Sequence, residues 1–338
     1  MKRTLLLAVL FAGLGLGAWY AWHQKSTRSG TITAWDVDFA IKDPTKVGKI
    51  FIADRKGQTA TVERKDGVWI YNGQYPARPS AVQSLMETLT KLTVKSLPTT
   101  TAEEPMIKSL ATQGIKVEVY DVDGRRLKCY YVGGVTNDEQ GTYMMMEGSE
   151  KPYVTHIPSF VGQLRVRYLL GDDNWRDRTV FAEKPETIQS VVVEYPQQKA
   201  ESFRLEKVKE AEYTVTPYQS TTSRRSGTPR KGVPEAYLLQ FERLVAEGYD
   251  TDNPQRDSIS ALVPFAIVTV KKTDGQEKKV RFWPTDIKIN GLTGKTFVEH
   301  YHAQRDGDFL VVQDYVFGRV FRGYSFFYEG APAPIIRN

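Results

Sequence analysis

The sequence predicts an α+β fold: two tandem repeats of a mostly antiparallel sheet with one amphipathic helix each, behind an N-terminal transmembrane helix. Three observations predict it. Short segments rich in β-branched and aromatic residues are separated by Lys/Asp/Gly turns. An apolar stripe at helical spacing occurs once in each half. The hairpin Phe265–Trp283 echoes Gly114–Tyr131, its Asp274-Gly275 turn falling 151 positions after Asp123-Gly124.

Residues 1–22 read as the membrane anchor or a signal sequence. Lys2 and Arg3 precede an uncharged run from Thr4 to Trp22, whose 19 residues span about 28 Å as a helix, close to the ~30 Å hydrocarbon core. Trp19, Tyr20 and Trp22 sit at its far end, where amphipathic rings favour the headgroup region. The amino terminus is expected on the cytoplasmic side, against a weakening flank of Lys25 and Arg28. Cleavage after the small-x-small run Gly15-Leu-Gly17 is the rival reading. Either way residues 30–338 are expected outside the cytoplasm, and no cysteine near the segment is available for lipid attachment.

Residues 23–48 are the expected tether, with Trp35 and Phe39 to seat it. The first repeat, 49–183, opens with Lys49–Asp54, Thr59–Arg64 and Gly67–Tyr71, a meander by its turn chemistry. Pro79-Ser80 then starts a helix with Val82, Leu85, Met86, Leu89 and Leu92 on one face. The Lys116–Tyr131 hairpin, strands at Tyr143–Met146 and Tyr153–Ile157, and a helix or strand at Phe160–Leu170 follow.

The second repeat, 184–330, keeps this order: strands at Ser190–Glu194, Ser202–Lys207 and Glu212–Thr216, then a helix from Pro234 carrying Tyr237, Leu238, Phe241, Leu244 and Val245. Thr296–Tyr301 and Phe309–Val312 stand where the later strands are expected, and 331–338 is a tail. The main departure is an insertion, Gln219–Gly232, too polar to bury a core and therefore expected to be a mobile loop.

Gly67-Val-Trp-Ile-Tyr71, then Tyr75-Pro-Ala77, then the helix bearing Val82, Leu85, Leu89 and Leu92, resembles the DUF4340 family, a domain of unknown function. The resemblance covers most of residues 30–330 and leaves the 219–232 insertion outside its pattern. It implies an anchored bacterial envelope protein with tandem α+β units, some relatives being encoded beside auxiliary components of gliding-type ABC transporters. The expected place is the bacterial inner membrane, single-pass, with the C-terminal domains in the periplasm. It carries over no catalytic residue.

Net charge is +6, and removing Lys2 and Arg3 leaves +4 over a long chain, which does not suit a nucleic-acid binder. The lone Cys129 permits no intramolecular disulfide and is expected as a small buried hydrophobe. No nucleophile elbow and no phosphate-cradling glycine loop occurs. His300 and His302 share a face of an expected edge strand and form a candidate metal pair, short of the three ligands catalytic zinc needs unless His156 joins them. Asp250–Pro254 and Gly171–Asn174 read as turns, lacking the glycine and distal glutamate of a calcium loop.

Two groups are candidate binding residues: Arg224, Arg225, Arg230 and Lys231 for an acidic partner or anionic headgroups, and Tyr315, Phe317, Arg319 and Arg322 for a protein interface. The expected function is a non-catalytic, membrane-tethered binding or scaffold component of an envelope complex. Its partners are expected to be other membrane or envelope proteins (a transporter, secretion or motility apparatus), with no cofactor and no nucleic acid. A metal-dependent hydrolase on His300 and His302, and a lipid or carbohydrate carrier, are the alternatives.

Overall fold

A computed structural model describes residues 34–336, apart from 210, 211, 290, 292, 293, 295 and 331. The expected anchor, residues 1–22, lies outside the described residues, as do 23–33 of the tether and 337–338 of the tail. Among the described residues no helix is long and apolar enough to cross a membrane. Mostly antiparallel sheets with a few helices make up two compact units, divided between Asp177 and Arg178.

The first unit contains β1 (Val47–Ala53), β2 (Thr59–Lys65), β3 (Val68–Tyr71), β4 (Tyr75–Pro76), α1 (Pro79–Lys91), β5 (Thr93–Ser96), α2 (Thr100–Gln113), β6 (Ile115–Asp121), β7 (Arg126–Val135), β8 (Thr142–Met146), β9 (Tyr153–His156) and α3 (Asp172–Trp175). Its sheet runs β4-β3-β2-β1-β6-β7-β8-β9-β5. Alternation places Ile50, Ile52, Val117 and Val119 inward and lysines and glutamates outward, the pattern of a sheet covered on one face. Pro79 occupies the first turn of α1, where its missing N–H costs nothing. Leu85 and Leu89, one turn apart, are fully buried against this sheet face. Phe39 seats the tether edge-on against Tyr130 and Tyr153, whereas Trp35 stays half exposed.

The second unit contains β10 (Thr179–Phe181), β11 (Ile188–Glu194), β12 (Phe203–Lys209), β13 (Glu212–Pro217), α4 (Val233–Leu238), β14 (Leu244–Val245), β15 (Gly248–Tyr249), α5 (Arg256–Ala261), β16 (Ala266–Lys272), β17 (Glu277–Pro284), β18 (Ile287–Ile289), β19 (Thr296–Val298), β20 (His300–Arg305), β21 (Asp308–Gln313) and α6 (Asp314–Phe317). Its sheet runs β13-β12-β11-β16-β17-β20-β21-β15. Setting aside the two-residue β4, this is the first unit's strand order position for position. Even the irregularities correspond: the register shifts between Val47 and Lys49 in one sheet and between Ile188 and Ser190 in the other. Gly124 and Gly275 close the two central hairpins with φ +81° and +87°, a region glycine enters without strain.

Four expectations need correcting. Among the described residues each unit has three helices, not one: α1, α2 and α3 in the first, α4, α5 and α6 in the second. α2 escaped notice since only Leu110 is buried on it and Pro105 interrupts its pattern. Phe160–Leu170 is neither helix nor strand but irregular chain with one 3-10 turn at Arg165–Arg167. Thr296–Tyr301 is not one strand: Thr296–Val298 pairs with Ile287–Ile289 in a separate ribbon, and β20 joins the main sheet between β17 and β21, so its histidines are not on an edge. The second unit also starts at Arg178, ahead of 184, because β10 pairs with β14.

Candidate functional site

The insertion after β13 does not hang free. Three hydrogen bonds tie it to the C-terminal 3-10 turn Tyr324–Phe327: Arg225 N–H to the Tyr324 hydroxyl (3.0 Å), Arg230 N–H to Phe327 O (2.8 Å) and the Arg230 guanidinium to Phe326 O (2.6 Å). The Arg230 and Arg322 guanidiniums both lie against the Phe326 ring, at 5.7 and 5.1 Å from its centroid, within cation–π range. The expected mobile loop is thus a docked one, held by a turn about a hundred positions further along the chain.

Between this loop and β13 lies a cleft of about 580 Å³. Arg224, Arg225, Arg230 and Lys231 line it together, with Tyr213, Glu235, Tyr324 and Tyr328. Arg224, Arg225 and Lys231 are exposed and Arg230 is half-buried. Tyr328 donates to Val215 O at 2.7 Å. Burial, then the hydrogen bond shared with Tyr324, raises the Tyr328 phenol well above its ordinary range, with Arg224 and Arg225 pulling the other way. Burial, then the Glu235 carboxylate, likewise raises Tyr213. Two buried atoms here make no hydrogen bond: Glu235 Oε2, an acceptor, and Arg230 Nε, a donor. Sequence reasoning missed Glu235, Tyr324 and Tyr328, since the Arg225–Tyr324 contact spans 99 positions.

The second basic-aromatic group does not form one surface. Phe317 is fully buried, whereas Tyr315 is 94% exposed. Arg319 is exposed and donates to Arg243 O at 3.0 Å. Arg322 is exposed and stacks on Phe326, and so joins the docked loop's support.

The histidines are brought to one face of β20, as expected from strand alternation, but each meets its own carboxylate. His300 Nε2 is 3.1 Å from Glu247 and His302 Nδ1 is 3.4 Å from Asp250. His302 also stacks on Phe309 and lines a cleft of about 770 Å³ with Trp283, Leu262 and Asp286. Asp250 accepts from Asn253 at 2.6 Å, the turn duty expected of that run. Asn174 does the same locally by donating to Leu170 O. His156 belongs to the first unit, in β9.

Cys129 is buried, but in a charged setting and not an apolar one. Its thiol, Glu118 and Glu147 offer ligand atoms within 4.8 Å of one another, the one such grouping among the described residues. Lys116 and Arg126 already neutralise the two carboxylates, at 2.8 Å to Glu118 and 2.6 Å to Glu147. A site built for a cation does not carry two of its own. Burial, then Glu147, pushes the Cys129 thiol up to about 12, so the nucleophilic thiolate is scarce at neutral pH.

A family model described as a domain of unknown function, DUF4340, matches residues 69–258, which is 190 of the 338 residues and runs from β3 to α5. No curated protein and no solved structure matches the chain.

Proposed function

The chain belongs to the DUF4340 family, and from that footing we propose that it is a membrane-tethered, extracytoplasmic binding and scaffold component of a bacterial envelope complex. Residues 1–22 anchor it in the inner membrane in a single pass, and both units stand in the periplasm as an ancient duplication presenting surfaces to partner membrane proteins. A transporter, secretion or motility assembly is the kind of partner meant.

The observation that carries the reading is the docked basic loop. A polar insertion absent from the first unit is fixed by three hydrogen bonds to the folded body, and so holds Arg224, Arg225 and Lys231 outward in a defined place. Fixing a charged loop in this way costs conformational entropy, which a merely solubilising loop has no need to lose. By contrast His300 and Cys129 sit beside carboxylates of the fold, and His302 lies 3.4 Å from Asp250 with its buried Nδ1 making no hydrogen bond.

Crosslinking the full-length chain in its native membrane, followed by detergent extraction and mass spectrometry, tests this. One or more integral membrane proteins are expected in stoichiometric yield. A chain recovered alone, or released from membranes by salt without detergent, would sink the proposal.

A further inference from the structure

We propose that the cleft between β13 and the 219–232 loop takes an extended, acidic polypeptide segment of a partner protein, laid along the outer edge of β13. The inference rests on the binding-component reading above and names the chemistry of its partner. Among the described residues β13 has β12 on one side and no strand on the other. Tyr218 N–H donates to Ser202 O, one step beyond the Phe203–Pro217 pair. Antiparallel alternation then turns the main chain of residues 214, 216 and 218 toward β12, and that of Tyr213 and Val215 toward the cleft. Tyr328 takes Val215 O, which leaves the Tyr213 N–H and C=O and the Val215 N–H facing the cleft. Pro217, with no N–H, ends the edge.

The lining selects among occupants. Arg224, Arg225, Arg230 and Lys231 face two carboxylates, Glu212 and Glu235, so the excess is cationic and asks for acidic side chains. Two lining residues carry buried unsatisfied atoms, Glu235 Oε2 without a donor and Arg230 Nε without an acceptor, which a ligand meets once these side chains turn toward it. A peptide main chain supplies both an N–H and a C=O. An inorganic anion supplies acceptors only and would meet Glu235 with like charge. A membrane surface is flat, whereas these groups line a concavity whose wall is a strand edge, the setting in which main-chain addition gives affinity and side-chain pockets give selectivity.

The test uses the full chain in detergent micelles and a fluorescent, N-acetylated peptide of about eight residues alternating Glu and Val, enough to run the length of a strand. Binding is expected with Kd below about 1 mM. Replacing Glu by Lys in the peptide, or combining Arg225→Glu with Lys231→Glu in the protein, is expected to weaken it at least about tenfold. Both substituted side chains are exposed, and the Arg225 contact to Tyr324 is main-chain, so the fold is retained. At saturation, amide exchange at Tyr213 and Val215 is expected to slow. No binding, equal binding of the Lys peptide, indifference to the double variant, unprotected Tyr213 and Val215 amides, or binding of inorganic phosphate in place of the peptide would each overturn the inference. The envelope reading is judged separately. A double variant that still recovers the wild-type membrane partner on crosslinking leaves that reading standing while the cleft falls.

Discussion

Glu201 is a buried carboxylate with a defined task. Its Oε2 accepts from Ser325 N–H at 2.9 Å and from the Ser325 hydroxyl at 2.7 Å, while that hydroxyl in turn accepts from Ala333 N–H. Glu201→Ala strands a buried N–H and is expected to cost about 1–3 kcal/mol. Urea unfolding should show this, with Glu201→Gln, which keeps an acceptor oxygen, losing less. His302 gives a pH signature. Burial, outweighing Asp250 and Asp286, lowers its pKa from the ordinary 6.5. The folded state therefore binds fewer protons than the unfolded chain as pH falls below about 6.5, so this contribution is full above that value and lost beneath it. Urea midpoints measured at about pH 7.5 and about pH 5.5 should differ, and His302→Gln should narrow the difference. Cys129 is expected to react with a thiol reagent only on unfolding, read as native-state labelling orders of magnitude slower than in denaturant. At this scale the sequence was only partly readable. That His300 and His302 share a face follows from strand alternation, but Glu247 and Asp250, which engage them, reach the site through a strand pairing that no local pattern announces.

Elements were readable where chemistry is local. The Asp-Gly hairpins, the α1 stripe and the β1–β2–β3 meander all follow from turn residues and periodicity. α2 was not, because a helix that buries one leucine has almost no stripe to detect. Gly48 shows how tightly two strands meet at the β1–β6 register shift. A Cβ there would lie 2.7 Å from Asp121 O and from Val122 Cα, both backbone atoms that cannot swing aside. Gly48→Ala is expected to destabilise the first unit by about 1–3 kcal/mol, seen as a lowered Tm, while the equivalent change at the open Gly134 should be milder. The insertion loop was misjudged because composition reports only that it lacks a core of its own. It is silent on Tyr324, Phe326 and Phe327, which lie far along the chain and supply the anchorage.

For the molecule as a whole, the class and the doubling of the sheet were visible in the paired hairpins, whereas the exact partition was not. Each unit has its own apolar core, one drawn from Phe39 to Trp175 and the other from Val180 to Tyr328. A fragment of residues 34–177 is accordingly expected to fold alone, with a cooperative unfolding transition and β-type circular dichroism. A fragment that melts without cooperativity would mean that the first unit needs the rest of the chain.

The position of Trp175 sets a timetable. It is fully buried, stacks on Tyr71 and holds Arg78 N–H through its carbonyl, yet it stands two residues before the first unit ends. A ribosome adding ~5–20 residues per second takes roughly 5–20 seconds to run from Tyr71 to its stacking partner Trp175. Until then the nascent chain lacks its last plug, so the half-made first unit stays pliable.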